Sequence, residues 1–187
     1  MKKVVAYVYL TKAIGLFCLG FSVLAQSVAP LPAPEEVVAV QPPLQLRGGS
    51  TLTFLGMGIY DTRLWSTSSF ALDQYDQYPF ALELQYRRSL SGKLIAKRSL
   101  QEMQRQSSFD STQADNWLAR MQALFPDVKA GDRITGFNQP GVGARFAVNG
   151  KPVGELRDAL FAKLFFGIWL SPQTSESAMR CALAQCS

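Results

Sequence analysis

The segment from Ala159 to Leu170, ALFAKLFFGIWL, constrains the fold more than any other part of the sequence. Lys163 is its one charged residue, and Gly167 interrupts its run of apolar side chains. Its 12 residues are too few to cross a bilayer as a helix, which takes roughly 20. A helix that is apolar on nearly every side has to be buried nearly all round. The segment therefore predicts a domain in which this helix packs between a sheet and other structure.

Helical spacing divides the apolar residues of this segment into two groups. One broad face, suited to packing on a sheet, carries Phe161, Leu164, Phe165 and Ile168. Phe166 and Trp169 point away from that face, towards a neighbouring helix or a cleft. We interpret these two aromatic residues as candidates for the wall of a pocket.

Strand patterns occur in two blocks, with helical patterns between them and after them. Asn149-Gly150 lies between two apolar strands and is a strong hairpin signal, because a type I′ turn needs positive φ at both positions. The predicted strands are 51–55, 57–65, 80–87, 133–138, 144–148 and 151–155, and the predicted helices are 92–106, 111–124, one from Asp158 through Phe166 or a little beyond, and 175–183. This order predicts an α+β fold, in which helices cover one face of an antiparallel sheet.

Alternation and capping residues add detail to this prediction. In the strand 80–87, apolar residues alternate with a second set that includes Glu83 and Gln85, which predicts that one face is buried and the other is wet. Ser111 or Thr112 is expected to cap the helix 111–124, and Ser175 the last helix.

The N-terminus has the pattern of an export signal. Lys2, Lys3 and Lys12 precede the uncharged apolar run 13–25, which is shorter than a membrane span. Cleavage before Gln26 would place the protein in the periplasm or outside the cell, with no integral membrane span; a retained anchor is the alternative. Residues 26–45 hold five of the ten prolines and are interpreted as an extended tether, with a short edge strand at 37–40. The domain proper is then 46–187.

The chain contains no histidine, which excludes histidine-based catalytic triads and histidine zinc sites. Only Cys181 and Cys186 remain after cleavage, too few for a zinc site of four thiolates. We therefore predict no metal and no cofactor. In an oxidising compartment the two cysteines could form a disulfide near the C-terminus, and the alternative is two unpaired thiols.

Charge and motifs exclude other classes of function. Removing Lys2, Lys3 and Lys12 lowers the formal net charge from +5 to +2, and the remaining basic residues are scattered, so we expect no nucleic-acid partner. The G-x-G of GVGARF, 141–146, precedes a strand and not the helix that a dinucleotide loop requires. Asp127 and Asp132 could be a pair of catalytic carboxylates, but both lie at turn positions and are better interpreted as structural.

The predicted second strand carries the first candidate for chemistry. Tyr60 and Thr62 point to one face of the sheet, and Asp61 and Arg63 point to the other. A tyrosine on the covered face could donate a hydrogen bond to a ligand oxygen, although such residues more often only pack.

Four segments, taken in order, resemble the chalcone isomerase-like family, and specifically its exported bacterial branch. They are LRGGSTLTFLGMGIYDTRLW (46–65), FALELQYRRSLSGKL (80–94), PDVKAGDRITGF (126–137) and GVGARFAVNGKPVGELRDALFAKLFFGIWLSPQTS (141–175). The resemblance implies an open-faced β-sandwich, in which an antiparallel sheet is covered by a layer of helices with a ligand cleft between them. Plant members of the family cyclise chalcones to flavanones, and other members bind fatty acids without catalysis.

This sequence departs from the catalytic pattern of the family it resembles. Leu52 stands where related sequences carry an arginine, Tyr60 where the enzyme has a threonine, and Leu90 where the enzyme has a tyrosine. Leucine can neither hold a phenolate nor stabilise a developing enolate. Arg47 could replace the missing arginine only if the alignment shifts by five residues.

Three functions follow as hypotheses from these observations. The first is an exported, non-catalytic protein that binds a small apolar ligand, such as a fatty acid, between sheet and helices. The second is a structural or interaction protein whose cleft is filled, and the third is an intramolecular lyase that acts on an enone through Tyr60 and a nearby arginine. No catalytic residue is assigned, and the ligand-binding candidates are Tyr60, Thr62, Tyr86, Phe166 and Trp169.

Overall fold

The structure is a computed structural model that describes residues 32–186. The predicted signal peptide and residues 26–31 of the predicted tether lie outside this range. Six strands form one antiparallel sheet in which each strand pairs with the next along the chain. The strands are β1 (Gln45–Phe54), β2 (Met57–Ser66), β3 (Phe80–Tyr86), β4 (Arg133–Gln139), β5 (Gly143–Val148) and β6 (Lys151–Leu156). The helices are α1 (Glu35–Val38), α2 (Gly92–Gln106), α3 (Ser111–Leu124), α4 (Ala159–Leu170) and α5 (Ser177–Ala184), with a 3₁₀ segment at Leu72–Gln77. The predicted α+β fold, an antiparallel sheet under a layer of helices, is confirmed.

Helix α4 lies at the centre of the helical layer, as its sequence predicts. Every residue from Leu164 to Leu170 is buried. The carboxylate of Asp158 caps the helix, accepting a hydrogen bond from the backbone N–H of Phe161 at 3.0 Å and another from the indole of Trp117 at 2.9 Å. Asp158 is the N-cap, so the helix begins at Ala159. It ends at Leu170, before Ser171-Pro172, because proline cannot continue a helix.

Phe166 and Trp169 line a cleft, as one of the predicted alternatives has it, but the prediction that they point away from the sheet is wrong. Phe166 packs edge-on against Phe80 of β3, with ring centroids 4.8 Å apart. Trp169 also reaches the sheet, where its indole N–H donates to the hydroxyl of Tyr60 at 3.0 Å. Both side chains therefore face the sheet, and Phe161, assigned to the sheet face, packs on Trp117 of α3 at 5.8 Å.

The other face of the sheet, which we call the outer face, is covered where the sequence predicts exposure. Residues 35–38 form the single helical turn α1 in place of the predicted edge strand, and Val37 is buried. The outer apolar cluster contains Val37, Trp65, Ala81, Phe137 and Ala147. A segment interpreted as an extended tether thus packs on the sheet as part of the fold.

Charged residues on the outer face are paired. Glu83 is 0% exposed, contrary to the alternation argument, and it accepts hydrogen bonds from Arg63 and, at 3.0 Å, from the indole of Trp65. Glu36 of α1 accepts hydrogen bonds from Arg133 at 2.9 and 3.0 Å and from Thr135 at 2.9 Å. These ion pairs and hydrogen bonds fasten α1 to the sheet and make the burial of Glu83 possible.

The two predicted side-chain caps are not formed. Asp110 caps α3, accepting from the backbone N–H of Gln113 at 2.8 Å, in place of Ser111 or Thr112. Helix α5 begins at Ser177, and Ser175 donates its hydroxyl hydrogen to Glu102 at 3.0 Å. Among residues 32–186, no helix is long and apolar enough to cross a membrane.

Candidate functional site: a cavity between sheet and helices

A cavity of about 500 Å³ lies between the sheet and the helical layer. Its sheet wall includes Leu52, Tyr60, Leu84, Tyr86 and Phe146, and its helix wall includes Ile95, Phe165, Phe166, Ile168 and Trp169. We call this space the sheet–helix cavity. Its size and its largely apolar lining are those of a small-molecule site.

Tyr60 and Tyr86 form the polar part of the sheet wall. They lie directly opposite each other on β2 and β3, and their rings meet edge to face with centroids 5.9 Å apart. Burial raises the pKa of each hydroxyl above that of an ordinary tyrosine, and the carboxylates of Glu176 and Glu102 add to the rise at Tyr60. Both side chains are therefore neutral phenols at physiological pH and can only donate or accept hydrogen bonds.

Both phenols keep a hydrogen that binds no protein acceptor within the described part of the chain. The Tyr60 oxygen accepts from Trp169, but its own hydrogen is given to no residue of 32–186. Tyr86, 3% exposed, makes no hydrogen bond through its hydroxyl to any described residue. Both hydroxyls line the cavity, so two neighbouring donors without a protein acceptor indicate a place for a ligand oxygen.

A polar corner adjoins Tyr60 where α2 meets the start of α5. Its residues are Arg98, Ser99, Glu102, Ser175 and Glu176. Glu102 is buried and accepts from Ser175, and it forms an ion pair with Arg98 at 2.6 Å. Of the described residues, Arg98 is the one cation that lines the cavity, and its charge is already compensated by Glu102.

Four of the five residues predicted to bind a ligand meet at this cavity. Tyr60, Tyr86, Phe166 and Trp169 all line it. Thr62 does not: it is buried between Ser50 and Leu84 of the neighbouring strands, and its hydroxyl has no partner among the described residues.

Two of the positions at which this sequence departs from the catalytic pattern of the family, Leu52 and Leu90, lie at the sheet–helix cavity. Both line the cavity with aliphatic side chains. Arg47 does not line the cavity. It lies at a bulge in β1 with its guanidinium 5.5 Å from the ring centre of Phe70. It therefore does not supply the arginine that Leu52 replaces.

Sequence reasoning missed the polar corner. One signal was available on α2, where Ser99 and Glu102 interrupt the apolar stripe at helical spacing from Ile95. Polar residues on the buried side of a helix require partners, and here those partners include Ser175, 73 positions away in the chain. That pairing leaves no local sequence pattern.

The two cysteines do not line the sheet–helix cavity. Cys181 and Cys186 are free and exposed, and the backbone N–H of Cys186 donates to the carbonyl of Cys181 at 3.2 Å. A hydrogen bond between the two thiols raises the pKa of Cys181. The disulfide stays a prediction. Within residues 32–186, no group of three or more acidic or cysteine side chains is arranged to hold a metal ion.

A model of the family described as chalcone isomerase-like matches residues 25–183. The chain belongs to the chalcone isomerase-like family. The match begins upstream of residue 46, so it includes α1 and the segment that covers the outer face. The exported branch within this family remains a prediction.

Two individual proteins are similar to this chain. An uncharacterized protein of Haemophilus influenzae is 28% identical over 128 residues, which cover 68% of this chain and 61% of that protein. The chain thus spans less than two thirds of the length of that relative. The crystal structure of a fatty-acid binding protein of Arabidopsis thaliana matches with a TM-score of 0.62 at 13% identity, covering 82% of this chain and 90% of that one. At this identity the likeness concerns the fold.

Proposed function

We propose that this protein binds a small apolar ligand, such as a fatty acid, in the sheet–helix cavity and does not transform it. The observation that carries the proposal is a cavity of about 500 Å³ whose apolar walls surround two free phenol donors. Each CH₂ group moved from water into such a space stabilises the complex by about 0.8 kcal/mol. The Arabidopsis structure of the same fold is that of a fatty-acid binding protein, which supports this choice of ligand class.

The proposed ligand carries an oxygen at the end that meets Tyr60 and Tyr86. Two hydroxyls on adjacent strands, with ring centroids 5.9 Å apart, can donate to one oxygen atom or to two oxygens of one group. The hydrogen bond from Trp169 holds the Tyr60 oxygen in place, so this donor is oriented before a ligand arrives.

The local charge favours an uncharged oxygen. A carboxylate at Tyr60 would meet no uncompensated cation among the described residues, because Arg98 is paired with Glu102. The carboxylates of Glu102 and Glu176, which help to raise the pKa of Tyr60, would raise the pKa of a bound acid in the same way. We therefore propose that a fatty acid binds in its protonated form and that an alcohol or an ester of the same chain binds comparably.

The absence of catalysis is proposed from the cavity lining. Cyclisation of an enone by a phenolate needs a group that holds the phenolate and a group that stabilises the enolate. Leu52 and Leu90 offer neither. Tyr60 and Tyr86 can donate to an oxygen, but their raised pKa values prevent them from removing a proton near neutral pH.

Ligand binding is tested by organic extraction of the purified protein followed by mass spectrometry, together with displacement of a fluorescent fatty acid. We expect a co-purified lipid or displacement by long-chain acids, alcohols and methyl esters. Tyr86→Phe should weaken binding of these ligands, whereas Tyr78→Phe, a tyrosine packed on Phe70 outside the cavity, should not. No displacement by any of the three ligand classes would favour a structural or interaction protein. Measurable conversion of a chalcone that Tyr60→Phe abolishes would favour the lyase.

The pH dependence of binding tests whether the bound ligand is uncharged. A ligand that binds only as the neutral acid has a bound pKa above its free pKa. Its affinity is then fully present below the free pKa and falls about tenfold per pH unit above it, until the bound pKa is reached. The alcohol should show no such dependence. Equal pH profiles for acid and alcohol would contradict the uncharged oxygen and leave the ligand class intact.

We also propose that the protein is exported and acts in the periplasm or outside the cell. The support is the sequence of residues 1–25, with its lysines before an uncharged apolar run. Intact mass of the protein recovered from a periplasmic or medium fraction should correspond to a chain that starts at Gln26. A full-length mass confined to the cytoplasmic fraction would contradict export.

A further inference from the structure

The tip of the β1–β2 hairpin exposes large apolar side chains that do not contribute to the core. Leu55 is 82% exposed and Phe54 is 64% exposed, and Met57 is exposed beside them. Scattered exposed leucines are ordinary, but three adjacent apolar residues at a loop tip form a contiguous patch.

Leu55 also occupies a backbone position that disfavours it. Leu55 and Gly56 have φ of +49° and +76°, the left-handed conformations of a type I′ loop. The β5–β6 hairpin has the same kind of loop with Asn149 at φ +49° and Gly150 at +82°. Asparagine adopts this conformation more readily than leucine does, so the β1–β2 hairpin carries an exposed apolar residue at a cost in stability. Because Leu55 is largely exposed, its packing within the described domain does not offset that cost.

The exposed tip continues directly into the sheet–helix cavity. Phe54 and the adjacent Thr53 line the cavity while Phe54 also faces solvent. Leu94, in the first turn of α2, lines the cavity and is exposed as well. The mouth of the cavity is therefore bordered by apolar surface. We call Phe54, Leu55, Met57 and Leu94 the hairpin rim.

Basic residues surround the hairpin rim. Arg88 lies against it, with its guanidinium 3.6 Å from the sulfur of Met57. On α2, the exposed side chains of Lys93, Lys97 and Arg98 lie one turn or less from Leu94. Asp61 pairs with Arg87 at 2.8 Å, and Glu102 compensates Arg98. Arg88, Lys93 and Lys97 form no ion pair with a described residue, and they outnumber Glu176, the one unpaired carboxylate among the described residues that line the cavity. The rim thus combines exposed apolar residues with a surplus of positive charge.

We propose that the hairpin rim docks on the surface of an anionic phospholipid bilayer. Phe54, Leu55 and Met57 would enter the boundary between headgroups and acyl chains, and the surrounding lysines and arginines would meet lipid phosphates. Apolar insertion and basic charge together are the combination that gives stable peripheral binding. Docking in this orientation turns the mouth of the cavity towards the lipids. The transfer of a ligand between bilayer and cavity rests on the proposed function, but docking itself does not.

Vesicle flotation with the purified protein tests the proposal. We expect the protein to float with vesicles of phosphatidylcholine and phosphatidylglycerol, and to bind vesicles of phosphatidylcholine alone at least tenfold more weakly. Leu55→Asn is the informative variant because asparagine suits the loop. It should fold at least as stably as the parent and bind the anionic vesicles at least tenfold more weakly. The double variant Lys93→Glu, Lys97→Glu should lose the preference for anionic vesicles. Val153→Ser, which changes an exposed apolar residue on β6, should bind as the parent does.

Three outcomes would overturn the proposal. The parent protein fails to float with anionic vesicles, or Leu55→Asn floats as well as the parent. Alternatively, light scattering shows a dimer that Leu55→Asn dissociates while vesicles are not bound, which would assign the rim to a second copy of the chain. Ligand displacement measured without vesicles separates this inference from the proposed function. If the lipid ligands displace the probe and the protein does not float, docking alone is wrong.

Discussion

The two faces of the sheet are built from the same strands, but their polar side chains differ in how far their hydrogen bonds are satisfied. On the outer face, Glu83 is buried without access to water, and Arg63 and Trp65 both donate to it. On the helix-covered face, the neighbouring strand positions carry Tyr60 and Tyr86, whose hydroxyl hydrogens meet no acceptor in the described chain. A buried polar group that is fully paired contributes to the fold. Two adjacent hydroxyls that face a cavity and donate to no protein acceptor indicate a binding site. Substitutions on one face should therefore change stability, and those on the other should change binding.

The largest effect is expected from Glu83→Gln on the outer face. The amide removes the charge that compensates Arg63 and cannot accept from both Arg63 and Trp65 as the carboxylate does. Breaking such a pair should lower the free energy of unfolding by about 3 kcal/mol. Urea denaturation measures the loss, and ligand affinity of the folded protein should stay the same. Gln85→Ala, on the same face but without these partners, is the control. A stable Glu83→Gln protein with weakened ligand binding would reverse the assignment of the two faces.

The next effect is expected from Leu84→Trp on the helix-covered face. The indole would occupy part of the sheet–helix cavity and displace about three CH₂ groups of a ligand chain, a loss of about 2.4 kcal/mol in binding free energy. Stability should change by less than about 1 kcal/mol, because the larger side chain has room in the cavity. Displacement assays with long and short chains measure the loss, and the longest chain should lose most. Unchanged affinity for every chain length would place the ligand elsewhere.

A smaller effect is expected from Tyr86→Phe. Loss of one hydrogen bond to the ligand oxygen should weaken binding by about 1 kcal/mol, or several-fold in affinity. Stability should not fall, because the hydroxyl bonds no described residue. Tyr60→Phe is the comparison, since it also removes the acceptor of Trp169 and should lower stability. Titration calorimetry and thermal unfolding of both variants separate the two effects. A Tyr86→Phe protein that is clearly less stable would indicate a structural partner for this hydroxyl.

The smallest effect concerns the pH dependence of the outer face. Partial burial raises the pKa of Glu36, but hydrogen bonds from Arg133 and Thr135 outweigh it and hold the pKa below its ordinary value. A group with a lowered folded-state pKa stabilises the fold above its unfolded-state pKa, and that contribution is lost as the pH falls through the folded-state pKa. Glu36→Gln should therefore reduce the acid sensitivity of unfolding below about pH 4.5. Denaturation curves across pH 3 to 7 measure it. Parallel curves for parent and variant would show that α1 is not held by this charge.

Local sequence patterns predicted most of the sheet and the two middle helices, because those elements depend on neighbouring residues. Apolar residues recur at helical spacing in 92–106 and 111–124, and α2 and α3 have these bounds. Asn149-Gly150 marked its hairpin because only certain residues accept positive φ. The orientation of α4 was not predictable in the same way. A helix that is apolar on all sides has no contrast to show which side meets the sheet.

The features that could not be predicted from the sequence depend on contacts between residues that are far apart in the chain. Prolines in 26–45 suggested an unpacked tether, yet proline is tolerated at the start of a helix, and Pro34 directly precedes α1. The burial of Glu83 needs Arg63, 20 positions away, and the cover from the N-terminal segment. The candidate site followed the same rule. Tyr60 and Tyr86 were found from strand alternation and the family resemblance, and the Glu102–Ser175 contact of the polar corner was not.

The attachment of α1 has a consequence for the order in which the chain takes its final form. Glu36 is held by Arg133, and 97 positions separate the two residues. During synthesis, Glu36 leaves the ribosome long before β4 has been made. The same holds for Val37 and Phe137, which belong to one apolar cluster. Among the described residues, the first to be made are thus among the last to find their partners. In a nascent fragment that ends before β4, Trp65 and Ala81 lack Phe137 and Ala147, and incompletely packed apolar surface of this kind is what chaperones bind.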